Sequence, residues 1–417
     1  MVNNKEINMV KLGDILSTSF TNGVYKSSNH YGTGVSILRI TDFDNDGYLI
    51  TDDLQQVELS DAEVSNYKLQ PKDIVVNRVN SLTHIGKSIL WMDTKNEVTV
   101  YESNMMRIKP KESVVLPEYL IKILHSDSAR NHYKRVAKRA IGQSSINQQD
   151  VKSLLFFLPP LPEQQKIAKI LTTWDKAIDS TERLIDNSKQ QKKALMQQLL
   201  TGKKRLLDEN GRRFEDEWKS QLFKKTLKLD RGSSPRPIVN YTTESEDGVN
   251  WIKIGDTKGD GLYINSTKEK ITPEGAKKSR KVSKGEIILS NSMSYGKPYI
   301  LNIDGYIHDG WFVIRDYEKH LDKSYLIQIL SSELIQMQYK RLAAGGVVSN
   351  ISSELVYSVK IDIPSIPEQQ KIATVLTNAD KEIELLEQQL ADLQQEKKAL
   401  MQVLLTGKKR VVVDIDG

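Results

Sequence analysis

The amino-acid sequence predicts an α+β protein made by tandem duplication: two mixed α/β segments, each followed by a long helix, the two helices pairing as an antiparallel coiled coil. Three observations predict it. First, Pro162–Arg205 (PEQQKIAKILTTWDKAIDSTERLIDNSKQQKKALMQQLLTGKKR) and Pro367–Arg410 (PEQQKIATVLTNADKEIELLEQQLADLQQEKKALMQVLLTGKKR) align without a gap over 44 positions, 27 of them identical. A long-period repeat sets the architecture before any local reading. Second, the apolar residues of both stretches recur at alternating spacings of four and three, the seam of a coiled coil. Third, the segments before the two stretches match one another piece by piece. The expected boundaries are 1–157 and 207–362 for the globular segments, 158–206 and 363–410 for the helical ones, and 411–417 for a C-terminal tail.

Within the globular segments, Gly34–Ile50 (GVSILRITDFDNDGYLI) and Gly248–Ile264 (GVNWIKIGDTKGDGLYI) each read as strand, Asp/Gly-rich turn, strand. Leu69–Leu90 and Val282–Leu301 each put a β-rich run before a polar loop that ends in Gly-Lys. Glu118–Asp127 and Ser324–Glu333 each read as a short amphipathic helix. In Gly142–Val151 and Val347–Val356 a small polar loop leads into a helix start or strand with Asp150 or Glu354. Trp251, Tyr263, Trp311 and Phe312 lie in strand-like runs and are expected in the core.

Each long helix starts at a proline-rich stop, with Pro162 and Pro367 in the first turn, where a missing N–H costs nothing. Glu163 and Glu368 follow, at the positive end of the helix dipole. Gly202 and Gly407 suit the C-terminal caps, and Lys203, Lys204, Lys408 and Lys409 complement the dipole there. Each helix should be about 38 residues, or about 57 Å at 1.5 Å per residue. The seam of the second is Ile372, Leu376, Ala379, Ile383, Leu386, Leu390, Leu393, Lys397, Leu400 and Leu404. That of the first is Ile167, Leu171, Trp174, Ile178, Thr181, Ile185, Ser188, Lys192, Leu195 and Leu199. The polar members Thr181, Ser188, Lys192 and Lys397 have two readings, as register pins or as contacts to a partner's helix. The equivalent places of Lys192 and Lys397 favour register. The alternative to helix pairing is that each helix packs on its own globular segment.

Composition narrows the class. No apolar run approaches the ~18–20 residues that span a bilayer. The first residues, MVNNKEINMVKLGDIL, lack the basic-then-apolar layout of a signal peptide. The absence of cysteine excludes disulfides and thiolate metal sites and fits a reducing cytoplasm, which is the expected location. The net charge of +6 suits nucleic acid without requiring it. A chain repeated in this way can fold with approximate two-fold symmetry, and duplex DNA offers two similar sites to such a protein.

Catalytic motifs are missing. Ile85–Ser88 (IGKS) fails the P-loop spacing because Ser81 stands where the first glycine belongs. The six histidines have no metal-ligand spacing, and G-x-S-x-G and the Asn-Pro-Pro-aromatic motif of adenine methyltransferases are absent. A nuclease with degenerate carboxylates has no fixed motif and stays open as an alternative.

The paired elements LPPLPEQQKIA and IPSIPEQQKIA, each opening a helix that ends KKALMQxLLTGKKR, resemble the specificity (S) subunit of type I restriction-modification systems. Val10–Leu16 (VKLGDIL) and Arg212–Leu229 (RRFEDEWKSQLFKKTLKL) resemble that family's leads into its first and second target-recognition domains. The resemblance covers nearly the whole chain. It implies that each globular segment reads one half of an asymmetric bipartite DNA sequence. It implies that the helices set the unread spacer and dock two methyltransferase (M) subunits, with restriction (R) subunits completing the complex. It implies a non-catalytic chain without cofactors, with S-adenosylmethionine, ATP and Mg on the partner subunits. The rivals are a self-contained DNA-modifying enzyme and a coiled-coil scaffold that never touches DNA.

Base reading needs bidentate donors and acceptors on exposed loops. In the first segment the candidates are Asn77, Arg78, Asn80, Ser81, Thr83, His84 and Lys87, with Lys138, Arg139, Gln143, Ser144, Ser145 and Asn147. In the second they are Asn291, Ser292, Ser294, Tyr295 and Lys297, with Arg341, Ser349 and Asn350. The loop RGSSPRP adds Arg231, Ser233, Ser234 and Arg236. Basic residues beside these loops are expected on phosphates, which orient a protein without carrying sequence information.

Overall fold

Two short stretches are buried at every position, Ile74–Asn77 and Ile287–Ser290, and they form the central strands of two matching sheets. Strands covered on both faces read as continuous apolar runs, which explains IVV and IIL at these places. These relations come from a computed structural model, which describes residues 8–18, 20–51, 53–92, 97–257, 261–291, 296–342 and 351–413. In the first globular segment the sheet order is Thr21–Asn22, Met105–Ile108, Ile74–Asn77, Ser88–Leu90, antiparallel throughout. In the second it is Lys228–Arg231, Trp311–Arg315, Ile287–Ser290, Pro298–Leu301, with Tyr263–Ile264 added in parallel at the edge. Each segment is closed by its own ends. Met9–Lys11 pairs with Leu155–Phe157, and Lys219–Leu222 pairs with Lys360–Ile363.

The helices of the first segment are α1 (Asp61–Tyr67), α2 (Pro117–His125), α3 (Asp127–Val136) and α4 (Gln148–Lys152), followed by the long α5 (Leu161–Leu199). Those of the second are α6 (Pro273–Ala276), α7 (Lys323–Leu330), α8 (Glu333–Leu342) and α9 (Ser353–Tyr357), followed by the long α10 (Ile366–Leu404). Both long helices have 39 residues. Gly202 and Gly407 have φ of 69° and 72°, and the N–H groups of Lys204 and Lys409 reach back to the carbonyls of Gln198 and Val403. This left-handed glycine cap with its long back-bond ends both helices in the same way.

Two sequence expectations need correction. Tyr263 is half exposed, because in a two-residue edge strand Ile264 takes the inward position and its neighbour must face out. The second strand expected in Gly34–Ile50 reduces to a single bridge between Phe43 and Leu49. There the Asp44 carboxylate accepts the N–H groups of Asp46 and Tyr48, at 2.9 Å each, and holds a turn instead.

The chain divides into two compact units. One comprises Met1–Glu182 with Gln388–Gly417, the other Arg183–Glu387. Each long helix therefore begins in the unit of its own globular segment and ends in the other. In the first unit Ile167, Ala168 and Leu171 from the start of α5 share one core with Leu404 and Leu405 at the end of α10. In the second, Ile372, Ala373 and Leu376 from the start of α10 share one core with Leu199 and Leu200 at the end of α5. Inside each unit the start of one long helix packs on its own segment and shares a core with the end of the other.

Reciprocal ion pairs accompany these cores. Arg410 grips Glu163 with two hydrogen bonds, Nε to Oε1 at 2.8 Å and Nη2 to Oε2 at 2.6 Å. Arg205 grips Glu368 in the same way, at 2.6 and 2.8 Å, and the Trp218 indole N–H adds a third donor at 3.1 Å. Glu163 and Glu368 are buried, so the planar fork of arginine supplies what water would. The next residue is also buried in each copy. Gln164 accepts the Leu116 N–H and donates to the Val114 and Pro159 carbonyls. Gln369 does the same with Asp322, His320 and Pro364. The Pro-Glu-Gln triplet thus has a use at every position: Pro starts the helix, Glu meets the arginine, and Gln ties down the loop before α2 or α7.

The seam lysines are ion-paired inside the units. Lys397 lies 2.6 Å from buried Asp175, which also receives Lys122 of α2. Lys192 pairs with Asp380, which also accepts Gln328 of α7 at 2.8 Å. Burial alone pushes the Asp175 carboxyl up, but the two ammonium groups outweigh it and hold it below the ordinary value.

Two outcomes follow from these pairs. Arg205→Ala leaves Glu368 buried with one donor and should cost about 3 kcal/mol in chemical denaturation, while Arg205→Met combined with Glu368→Leu should recover most of that loss. Asp175 has a depressed folded pKa, so its contribution is complete above the ordinary carboxylate range and fades as pH falls below it. Acid titration monitored by circular dichroism should show wild type losing stability more steeply there than Asp175→Asn.

Candidate nucleic-acid interface

The candidate loops of the first unit come together. The hairpin Lys138–Ala140/Gln143–Ser145 adds the short strand Val79–Asn80, with Ser144 opposite Asn80 and Ser145 opposite Val79. Lys138, Arg139 and Gln143 are exposed on this hairpin. Ser81, Thr83 and His84 form a closed polar triangle, with Ser81 Oγ 2.9 Å from both Thr83 Oγ1 and His84 Nδ1, and Thr83 Oγ1 2.8 Å from the same nitrogen. Arg78 is half-buried, with Nη1 donating to the Ser103 carbonyl at 3.3 Å.

Other candidates are engaged by the fold. Asn77 is fully buried at the end of the central strand, where its N–H donates to the Lys87 carbonyl and its own carbonyl accepts from Gly86. The Lys87 ammonium donates to the Ile40 and Phe43 carbonyls at 2.5 and 2.6 Å and sits 4.4 Å over the Phe43 ring; burial lowers its pKa. Ser144 is buried between two strands. Asn147 caps α4, its Oδ1 accepting the Asp150 N–H at 2.9 Å while the Asp150 carboxylate takes the Asn147 N–H at 2.8 Å.

In the second unit Asn291 is buried. Its N–H donates to the Gly310 carbonyl, its amide nitrogen to the Asp309 carbonyl, and its carbonyl accepts the Ile351 N–H. Lys297 is half-buried, with Nζ 5.6 Å from the Tyr299 ring centre. The loop RGSSPRP gathers on Asp309. Ser234 Oγ donates to its carboxylate at 2.6 Å, Arg236 to the same group at 3.3 Å, and Arg231 Nε to its carbonyl at 3.3 Å. The Ser234 hydrogen bond, acting against burial, holds the Asp309 carboxyl below its ordinary value. Ser233 Oγ donates to the Lys278 carbonyl at 3.0 Å. Arg231 and Arg236 remain exposed, as does Arg341 in the last turn of α8. Ser292, Ser294, Tyr295, Ser349 and Asn350 lie outside the described residues.

The two units close their loops identically. In the second, the Ser290 N–H donates to the Lys297 carbonyl and the Ser290 carbonyl accepts from Gly296, as Asn77, Lys87 and Gly86 do in the first. Gly86 and Gly296 have φ of 76° and 67°. A Cβ at these positions would lie 2.2 Å from the Tyr133 ring and 2.5 Å from the Tyr339 ring. Both tyrosines are buried, in α3 and α8, and each is followed by an exposed Lys-Arg pair: Lys134 and Arg135, Lys340 and Arg341. Lys134, Arg135 and Lys340 were not among the sequence candidates. The tripeptide Tyr-Lys-Arg, present once in each half, is the signal that would have found them. Asp309 carries no such signal, since an acidic residue on a turn does not suggest an anionic partner.

These features define a class: a tandem-repeat protein whose two like modules present unlike polar and basic loops. The family model for the type I restriction modification DNA specificity domain matches residues 4–189 and 228–395. The chain belongs to that family. It is 30% identical over 407 residues to a Methanocaldococcus jannaschii protein assigned as the type I restriction enzyme MjaX specificity subunit, covering 96% of this chain and 93% of the other. It is also 30% identical over 184 residues to the EcoKI specificity subunit of Escherichia coli K12, covering 44% of this chain and 39% of that one. Among solved structures, the type I system S subunit from M. genitalium matches with TM-score 0.59 at 13% identity, over 97% of this chain and 98% of that one. A chain from a study of complex assembly and conformational transition of the type I R-M system matches with TM-score 0.61 at 16% identity, over 96% and 98%. Both structural likenesses concern the fold.

The Gly86 geometry gives a direct test. Gly86→Ala meets both a left-handed backbone and the Tyr133 ring, and should lower stability by about 2 kcal/mol or more. Gly296→Ala should do the same, measured by the shift of the denaturation midpoint.

Proposed function

We propose that this chain is the non-catalytic DNA-reading subunit of a type I restriction-modification complex, in which each globular segment reads one half of an asymmetric bipartite target. The observation that carries this is the pair of identical loop closures, Asn77–Lys87 and Ser290–Lys297, holding loops of different length and composition. A frame kept twice with its contents changed is what two different half-sites require. The exposed Lys134–Arg135 and Lys340–Arg341 pairs of α3 and α8 supply phosphate contacts beside those loops.

In this reading α5 and α10 pair as an antiparallel coiled coil that sets the unread spacer and docks two methyltransferase subunits. Contacts within the units support it, because partner numbers fall on one helix as they rise on the other: Glu163 with Arg410 and Asp175 with Lys397, then Lys189 with Glu387, Lys192 with Asp380 and Arg205 with Glu368. All sixteen apolar seam candidates, from Ile167 to Leu404, are buried or half-buried. S-adenosylmethionine belongs with the methyltransferase subunits, and ATP, Mg and cleavage with restriction subunits. The complex works in the cytoplasm, where the host DNA is. No described helix is long and apolar enough to cross a membrane.

Co-expression with the methyltransferase subunit, followed by methylome sequencing, tests the reading. A single asymmetric bipartite motif should appear, adenine-methylated on both strands and lost when this chain is omitted. Replacing residues 1–157 by another protein's first domain should change one half of the motif only. Methylation by this chain alone, or a stable complex that marks no motif, would sink the proposal.

A further inference from the structure

The hairpin Lys138–Ala140/Gln143–Ser145 ends in Ile141, which is fully exposed. The third strand, Val79–Asn80, stops opposite Ser144, so the outermost pair, Ala140 with Gln143, and the Ile141–Gly142 turn form a two-stranded tip on the hairpin. Gly142 turns the corner with φ of 77°, and nothing lies within 4 Å of where its Cβ would be. Tight hairpin corners favour Asn, Asp or Gly. An isoleucine there gains no burial in the folded chain and adds nothing to solubility.

The surroundings point to its cover. Between Lys134 and Gln149 the sequence has Lys134, Arg135, Lys138 and Arg139 and no carboxylate. All four cations are exposed. The first carboxylate beyond them, that of Asp150, is bound to the Asn147 N–H. A basic ribbon with an apolar tip complements a duplex: a two-stranded ribbon fits the major groove, cations hold phosphates on either side, and an aliphatic side chain packs on base edges and thymine methyls.

We propose that this ribbon enters the major groove tip-first and that Ile141 is buried against the base edges of the half-site read by the first unit. The inference rests on the DNA-reading function above and adds to it an apolar specificity contact, in a segment where the sequence pointed only to polar ones.

The test uses the assembled specificity–methyltransferase complex and two duplexes, one carrying the methylome-defined motif and one with the first unit's half-site scrambled. Ile141→Ser should bind the matched duplex about tenfold more weakly, the loss expected for one buried aliphatic side chain. Its binding to the scrambled duplex and its salt dependence should be unchanged, since no charge is removed. Ile141→Leu should stay within about twofold of the parent. Lys138→Ala with Arg139→Ala should instead weaken both duplexes and flatten the salt dependence. Equal loss on both duplexes, no loss, or failure of Ile141→Ser to assemble with the methyltransferase would overturn the proposal. A parent complex that does not discriminate the duplexes would overturn the DNA-reading function itself, whereas discrimination kept in full by Ile141→Ser would overturn this contact alone.

Discussion

Everything else in this chain hangs on one interaction made twice: a buried glutamate at the start of one long helix, gripped by an arginine just beyond the end of the other. Glu163 meets Arg410 in the first unit and Glu368 meets Arg205 in the second. A buried carboxylate left without its partner is costly, far more so than the completed pair is stabilising. The pair therefore acts mainly as a constraint on register. It sets which residues of α5 lie against which residues of α10 inside each unit. Asp175–Lys397 and Lys192–Asp380 then fall into place about three turns further along.

The same constraint explains why the two halves of the chain have diverged so unevenly. Glutamate and arginine of one copy do not bind each other; each binds the other copy's partner. A change at Glu163 is answered at Arg410, whose own equivalent, Arg205, answers to Glu368. Apolar ends are tied likewise, since Leu404 sits in the core of the first unit and Leu199 in that of the second. The loops have no such obligation. What they share is the frame alone: a central strand, a Gly-Lys closure, and a buried tyrosine against the glycine.

Much of this was legible in the residues. The repeat, the helix caps and the strand–loop–helix order of both segments follow from periodicity and from glycine and proline placement, which are local effects. In the first unit the candidate interface was legible as two loops, and the structure joins them in one small sheet. Individual residues were read less well. Asn77 and Asn291 have ideal side chains for adenine but stand buried where a strand ends in the core; there the Asn77 main chain closes the loop to Lys87, and the Asn291 amide donates to the Asp309 carbonyl. Lys87, one of the base-reading candidates, is a pin for the Ile40–Phe43 turn. Residue type gives no hint of which side of a loop is inward.

The sequence by itself determined the duplication and most of the elements, because these depend on spacing along the chain, and its paired motifs carried the resemblance to the family. Only the tertiary structure decided which copy answers which. The identical KKR endings could have folded back on their own glutamates, but a 39-residue helix keeps its two ends far apart. Each arginine could reach only the other helix's start, and with that choice the two helices came to belong to both units.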